Sequence, residues 1–240
     1  MARTALPHDA KAGPTKPEVR AVLRDKLDLA PTDHFAEVGP CTGAVTIEAA
    51  RRAGRVTAIE RKPERLAVSR KNLAANDVTA DVTLREAEAP DGLPEDADAL
   101  FIGGSRNYES VLDHAVDTGI DRVVMNVSRL EVAGAATEAF RERDLLDEVV
   151  QFQVSHGYQL AGATSFDSDN PVYMLVGSPN EVAADGGEPT DVKRTSAERD
   201  ADGSERSDGP RTSSGFRSDG REESSEPRTS SERGSDGRRR

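Results

Sequence analysis

Apolar and polar positions alternate along the first 180 residues in two rhythms. Val19, Val22, Leu23, Leu27 and Leu29 recur at helical spacing and form one stripe of an amphipathic helix. Thr15 and Glu18 ahead of it have capping-box spacing, and Pro17 falls in the first turn, where its missing N–H costs little. The next run, "HFAEVG" at 34–39, is short and apolar on both faces, which predicts a strand covered on both sides. The alternation then repeats. A helix is predicted at about 43–53, a strand at 55–60, and a helix over "KPERLAVSRKNLAAND" with Leu66, Ser69, Leu73 and Ala74 inward. A third strand, "DVTLREA", a fourth at 98–104, the helix "NYESVLDHAVDTG", a fifth strand "DRVVMNVS" and the helix "EVAGAATEAFRERDLL" follow. Two last runs, near 148–155 and 172–177, have no helix between them and are predicted to pair as a hairpin. The sum is an α/β domain: a mostly parallel seven-stranded sheet, helices on both faces, and a C-terminal antiparallel hairpin.

The rhythm stops near residue 180. Beyond it the chain is built of Ser, Gly, Asp, Glu, Arg and Pro, with Phe216 as its only aromatic; "PRTSS" occurs twice and "SDG" three times. Such a segment lacks the apolar surface to offset the entropy of ordering it. The reading is a folded domain at 1–180 and a disordered polar tail at 181–240.

Charge narrows the partners. A net charge of -12 argues against a protein whose main affinity is for nucleic-acid phosphates. An acidic surface of this kind suits concentrated salt or an ordinary acidic cytosol. One cysteine excludes an intrachain disulfide, and no apolar run approaches the ~20 residues of a membrane span. The expectation is a cytoplasmic protein with neither a membrane nor a nucleic-acid partner.

In open sheets of this type, ligands sit outside the carboxyl ends of the strands. Those ends carry the chemistry. After strand one comes Gly39-Pro40-Cys41-Thr42-Gly43, preceded by Glu37. The loop lacks the G-x-G-x-x-G spacing that rests a pyrophosphate on bare amides. An acidic group beside a glycine-bounded loop suits a cationic head instead, such as the amino group of a methionine moiety. Glu60 ends strand two, placed to accept hydrogen bonds from both hydroxyls of a ribose, and Glu88 and Ala89 follow strand three, where an adenine edge would lie. Pro40 is expected to keep Gly39 extended. Cys41 is expected to adopt an ordinary backbone, because a left-handed one would cost it about 1–2 kcal/mol. No Ser-His-Asp, Cys-His or metal-spaced cluster is evident, so no catalytic side chain or metal is assigned; His34 and His114 are read as structural.

These features resemble the class I S-adenosylmethionine-dependent methyltransferases. The order "GPTKPEVR", "EVGPCTGAVTIEAA", "VTAIERKPE", "EAEAPDGL", "FIGGS", "VVMNVSRLE", "QFQVSHGYQLAG" and "NPVYMLVG" is similar to the CbiT family of cobalt-precorrin C-15 methyltransferases (decarboxylating). The resemblance implies S-adenosyl-L-methionine as cofactor, with contacts at Thr15, Gly39 to Gly43, Glu60 and Ala89. It also implies methylation of a cobalt-precorrin tetrapyrrole at C-15 with loss of the ring C acetate carboxylate, and a homotetramer. Glu60 and Cys41 stand where that family commonly has aspartate and glycine. The substrate carries many carboxylates, so cations are needed near it. Arg106, Arg129 and His156 are the candidates, beside Gly104, Ser105 and Asn126 at the ends of strands four and five. An RNA or other small-molecule methyltransferase on the same fold is the rival enzyme reading, and a non-catalytic scaffold the rival class.

Overall fold

The computed structural model describes residues 3–10 and 13–179. The tail expected from residue 181 lies outside the described residues.

Seven strands form one sheet in the order β3-β2-β1-β4-β5-β9-β6. β1 (His34–Val38), β2 (Arg55–Glu60), β3 (Asp81–Glu86), β4 (Ala99–Ile102) and β5 (Arg122–Val127) run parallel. β9 (Val172–Gly177) lies antiparallel between β5 and β6 (Leu146–Phe152). Successive residues of the central strands enter opposite cores. Ala36, Leu100, Ile102, Met125 and Leu175 pack with Val111, Leu112 and Ala115 of α4 (Tyr108–Thr118) and with Ala133, Ala136 and Phe140 of α5 (Leu130–Arg141). Phe35, Ala99, Phe101, Val124 and Met174 pack with Val19, Leu23 and Leu27 of α1 (Pro17–Leu27) and with Val45 and Ala49 of α2 (Ala44–Ala49). That two-faced burial explains why these strands read as continuous apolar runs. α3 (Pro63–Ala74) runs beside α2 and turns Leu66, Ser69 and Asn72 inward.

The structure corrects four expectations here. The capping box is not formed: α1 starts at Pro17 with Lys16 as its N-cap and no side-chain cap bond, while the Thr15 carbonyl accepts from Arg20. Ala74 is exposed, and its place inward is taken by Asn72. Helix α2 ends at Ala49, short of the expected residue 53. The last two sheet strands do pair antiparallel, but not as a simple hairpin. Between them a separate ribbon, β7 (Ser155–Leu160) with β8 (Ala163–Ser168), turns at Ala161-Gly162 with positive φ at both residues. Its residues are nearly all exposed, so no apolar alternation announces it; Gly162 in a two-residue turn was the available signal.

Candidate functional site

A cavity of about 430 Å³ opens at the carboxyl ends of β1, β2, β4 and β5, a size typical of small-ligand sites. Thr15, Glu37, Gly39, Pro40, Cys41 and Thr42 line it. So do Glu60, Glu88, Ala89, Gly104, Ser105, Arg106 and Asn126. Gly43 starts α2 just behind the loop, and Arg129 and His156 are not brought here.

The loop after β1 is more tightly curled than expected. Gly39 lies at φ 78, Cys41 at φ 54 and Gly43 at φ 78. Both backbone expectations are therefore overturned: Gly39 is not extended, and Cys41 is left-handed. The chain has to reverse from strand to helix within five residues, and the Gly43 N–H closes the turn on the Pro40 carbonyl at 2.7 Å. Side chains of α3 secure the curl. Ser69 Oγ donates to the Cys41 carbonyl at 2.8 Å, and Asn72 Nδ2 to the Thr42 carbonyl at 2.8 Å. A Cβ at Gly43 would come within 3.3 Å of the Ser69 backbone, so the loop can approach α3 only with glycine there. Gly103, which donates its N–H to the Val38 carbonyl, has the same role on the other side: a Cβ would sit 3.0 Å from that carbonyl oxygen. Cys41→Gly is expected to raise stability by up to about 1 kcal/mol, since relief of the left-handed strain exceeds the added chain entropy of glycine. A chemical-denaturation midpoint that falls would contradict this.

Two buried carboxylates flank the loop. Glu37 accepts a 2.5 Å hydrogen bond from Thr46 Oγ1. Burial pushes its carboxyl up to about 7, against the Thr46 bond, and the nearby Glu60 charge adds to the rise. Glu60 is 4% exposed and accepts the Lys62 N–H at 3.0 Å. Glu37 therefore keeps its proton below neutrality unless a cation arrives. Two pH effects follow. The folded carboxyl holds a proton that the unfolded one releases above 4.5, so the free protein loses stability as pH rises from 4.5 to about 7. An ammonium ligand binds the ionised form, so affinity for such a ligand should rise roughly tenfold between pH 6 and 7.5. Calorimetric titration with S-adenosylhomocysteine across that range checks it; a flat profile would contradict the placement.

The remaining expected residues divide. Glu88 is committed to an ion pair with Arg106 and a contact from Asn107, which hold its carboxyl below the ordinary range. Arg106 is thus a partly neutralised cation. Ala89 is buried, its carbonyl accepting from Asn107 Nδ2 at 3.2 Å. Asn126, near the end of β5, has both amide atoms buried with no hydrogen-bond partner among the described residues. Arg129 lies exposed at the N-cap of α5, and His156 lies exposed on β7, 3.6 Å from Asp169. Neither lines this cavity, although Arg129 directly follows Ser128, which does. The cations that do line it are Lys16, Arg61 and Arg65, beside Arg106. The sequence reading missed the first three, although Arg61 directly follows Glu60 and Arg65 comes one helical turn later. His34 bridges Asp96 and Thr57, each at 2.9 Å, and His114 reaches the Pro94 carbonyl at 3.2 Å; both are structural, as expected.

Comparison with known proteins adds a family. Residues 5–177 match the precorrin methyltransferase domain. The chain is 78% identical over 178 residues to a Halobacterium salinarum protein named probable cobalt-precorrin-6B C(15)-methyltransferase (decarboxylating), covering 74% of this chain and 95% of that one. A Methanosarcina mazei protein of the same name is 38% identical, covering 69% and 93%. Among solved structures, precorrin 8W decarboxylase from Methanobacterium thermoautotrophicum superposes with a TM-score of 0.65 at 31% identity, covering 69% of this chain and 92% of that one. A tRNA (m1A58) methyltransferase from Aquifex aeolicus also superposes, with a TM-score of 0.59 at 16% identity over 71% of this chain and 72% of that one; this is a likeness of fold alone.

Proposed function

The chain belongs to the precorrin methyltransferase family and has the class I methyltransferase fold, and from that premise we propose that it methylates C-15 of a cobalt-precorrin with loss of the ring C acetate carboxylate, using S-adenosyl-L-methionine. The observation that carries this reading is the pair of buried carboxylates, Glu37 and Glu60, on either side of the left-handed loop in one cavity.

The residues present fit the cofactor. Glu37 would take the α-amino group, Glu60 the two ribose hydroxyls, Ala89 the adenine edge, and Thr15 with the backbone of 39–43 the methionine portion. Bound there, S-adenosylmethionine supplies an electrophilic methyl group on a sulfonium. The protein's own part is alignment, and holding reactants in line is worth up to roughly 7–11 kcal/mol in ideal cases. Loss of the carboxylate as carbon dioxide breaks one carbon–carbon bond and leaves its electron pair in the ring system, which makes a ring carbon the better nucleophile. The substrate's other carboxylates need cations; Arg61 and Arg65 stand at the cavity wall to supply them, beside Lys16, which is already paired with Asp169. In molar salt the Debye length is about 3 Å, so the acidity of the rest of the surface matters little there.

The test is direct. Incubation with S-adenosylmethionine and a cobalt-precorrin intermediate should give a product heavier by one methyl and lighter by carbon dioxide. No mass change, with cofactor binding confirmed, would remove the substrate assignment.

The assembly proposed is a homo-oligomer built on the β7–β8 ribbon. Isolated two-stranded ribbons are marginally stable in water, and this one exposes Tyr158, Leu160 and Phe166. A second copy of the same chain is the occupant proposed, and tetramer is the state implied by the family resemblance. Leu160→Asp with Phe166→Asp is expected to yield monomers by light scattering; unchanged mass would refute the interface. Among the described residues no helix is long and apolar enough to cross a membrane.

A further inference from the structure

Residues 3–10 cross the surface as a strap and meet two asparagines at the C-terminal end of α3. The Ala5 N–H donates to Asn76 Oδ1 at 2.9 Å, and Asn76 Nδ2 returns a bond to the Ala5 carbonyl at 2.7 Å. Three residues on, the His8 N–H donates to Asn72 Oδ1 at 2.9 Å, and Asn72 Nδ2 returns one to the His8 carbonyl at 2.8 Å. Each carboxamide meets the strap as the backbone of a neighbouring strand would. Asn72 lies in the last turn of α3 and Asn76 two residues past its end, and both carboxamides meet the same strap.

Asn76 is tied besides to Arg51 and to the Asn72 carbonyl, whereas Asn72 reaches inward. Its second N–H donates to the Thr42 carbonyl, inside the cofactor loop. Asn72 is fully buried, and both of its N–H donors are committed, one to the strap and one to the loop. Beside it Ser69 holds the Cys41 carbonyl. The left-handed turn at Cys41 is intrinsically unfavourable, so it needs support of this kind to persist. Loss of the strap would leave a buried carboxamide with only Thr42 to hold it, free to turn away.

We infer that the strap, residues 3–10, is a working part of the cofactor site: through Asn72 it fixes the Thr42 carbonyl, so that strap docking and S-adenosylmethionine binding favour each other. This rests on the cofactor reading above. Asn72 is a positioning residue, acting through the loop. Most strap residues are exposed, and its ties are side-chain hydrogen bonds at Thr4, Ala5 and His8 rather than buried apolar packing, so it opens at lower free energy than the core. Coupling between two binding events is reciprocal: whatever the strap adds to cofactor affinity, the cofactor adds to strap docking.

His8→Pro removes one N–H from the strap and leaves α3 and the cavity unaltered. It is expected to weaken S-adenosylhomocysteine binding about tenfold and to raise the cofactor KM, with kcat at saturating cofactor within about twofold of wild type. Asn76→Ala removes both Ala5 bonds, together with those to Arg51 and the Asn72 carbonyl, while Asn76 itself has no bond to Thr42; it should act in the same direction by about threefold. In the wild-type protein, saturating S-adenosylhomocysteine should slow hydrogen exchange at the Ala5 and His8 amides by about tenfold. Both variants binding like wild type, or exchange at Ala5 and His8 unchanged by the ligand, would overturn the coupling while leaving the cofactor site intact. Wild-type protein that fails to bind S-adenosylhomocysteine would overturn the cofactor reading itself, and the coupling with it.

Discussion

Glu60→Ala should weaken S-adenosylmethionine binding by about a hundredfold, the largest effect expected of a single side chain in the cavity. Hydrogen bonds to a charged group contribute about 1.5–3 kcal/mol each, and on the proposed reading Glu60 accepts two from a ribose. The carboxylate is buried at the end of β2 and already oriented by the Lys62 N–H. Part of its cost is therefore met by the fold before any ligand arrives. Glu60→Gln keeps an acceptor for Lys62 but loses the charge, and should fall between wild type and alanine. Glu60→Asp, one methylene shorter, should stay within about threefold. A second consequence separates this account from simple damage. Glu60 helps to keep the Glu37 carboxyl protonated, so its removal should shift the pH dependence of binding toward lower pH. Binding titrations of all three variants check the order; equal affinity for Glu60→Ala and wild type would remove Glu60 from the site.

The second large effect has opposite signs in two assays. Asn126→Leu should stabilise the free protein and disable turnover. Asn126 buries both atoms of its carboxamide without a partner among the described residues, and an unsatisfied buried polar group costs about 1–3 kcal/mol. Leucine has nearly the same shape and none of that cost, so the melting temperature should rise. The orphaned amide lies on β5, two strands away from β1, in the half of the cavity with Gly104 and Ser105. On the proposed reading this is the half of the cavity that takes the substrate. The kcat/KM for methyl transfer should fall by about a hundredfold, while cofactor affinity stays within about twofold. Proteins hold such costs at functional sites, and stability gained there is commonly lost as activity. Full activity in Asn126→Leu would mean that the amide is a packing defect.

Much of this architecture was legible because burial on both faces leaves a plain trace. Phe35-Ala36 and Leu100-Phe101 feed two different cores, so each strand reads apolar throughout and the alternation with helices follows. The strand-end rule then brought Glu37, Glu60, Ala89 and Asn126 to one list, and all four line one cavity. What escaped was set by contacts distant in sequence. The left-handed Cys41 depends on Ser69, 28 residues away, and nothing local in "GPCTG" reports that bond. Asn72 rather than Ala74 turns inward because its partners are backbone groups of the strap and the loop, distant in sequence from α3. Arg106 looked like a free cation because its pairing with Glu88 joins two separate loops. The β7–β8 ribbon carries no core-facing alternation, since nearly all of its residues are exposed.

The position of β9 bears on how the protein is made. It is an interior strand, with Met174 and Leu175 fully buried, yet it is the last element of the sheet to leave the ribosome. Until it arrives, β5 presents an open edge and β6 has no partner in the sheet. Open apolar edges invite pairing with other chains. A message that stops translation before Val172 should therefore yield an insoluble product rather than a shortened enzyme, and the nascent chain should need its chaperones most just before that strand is synthesised.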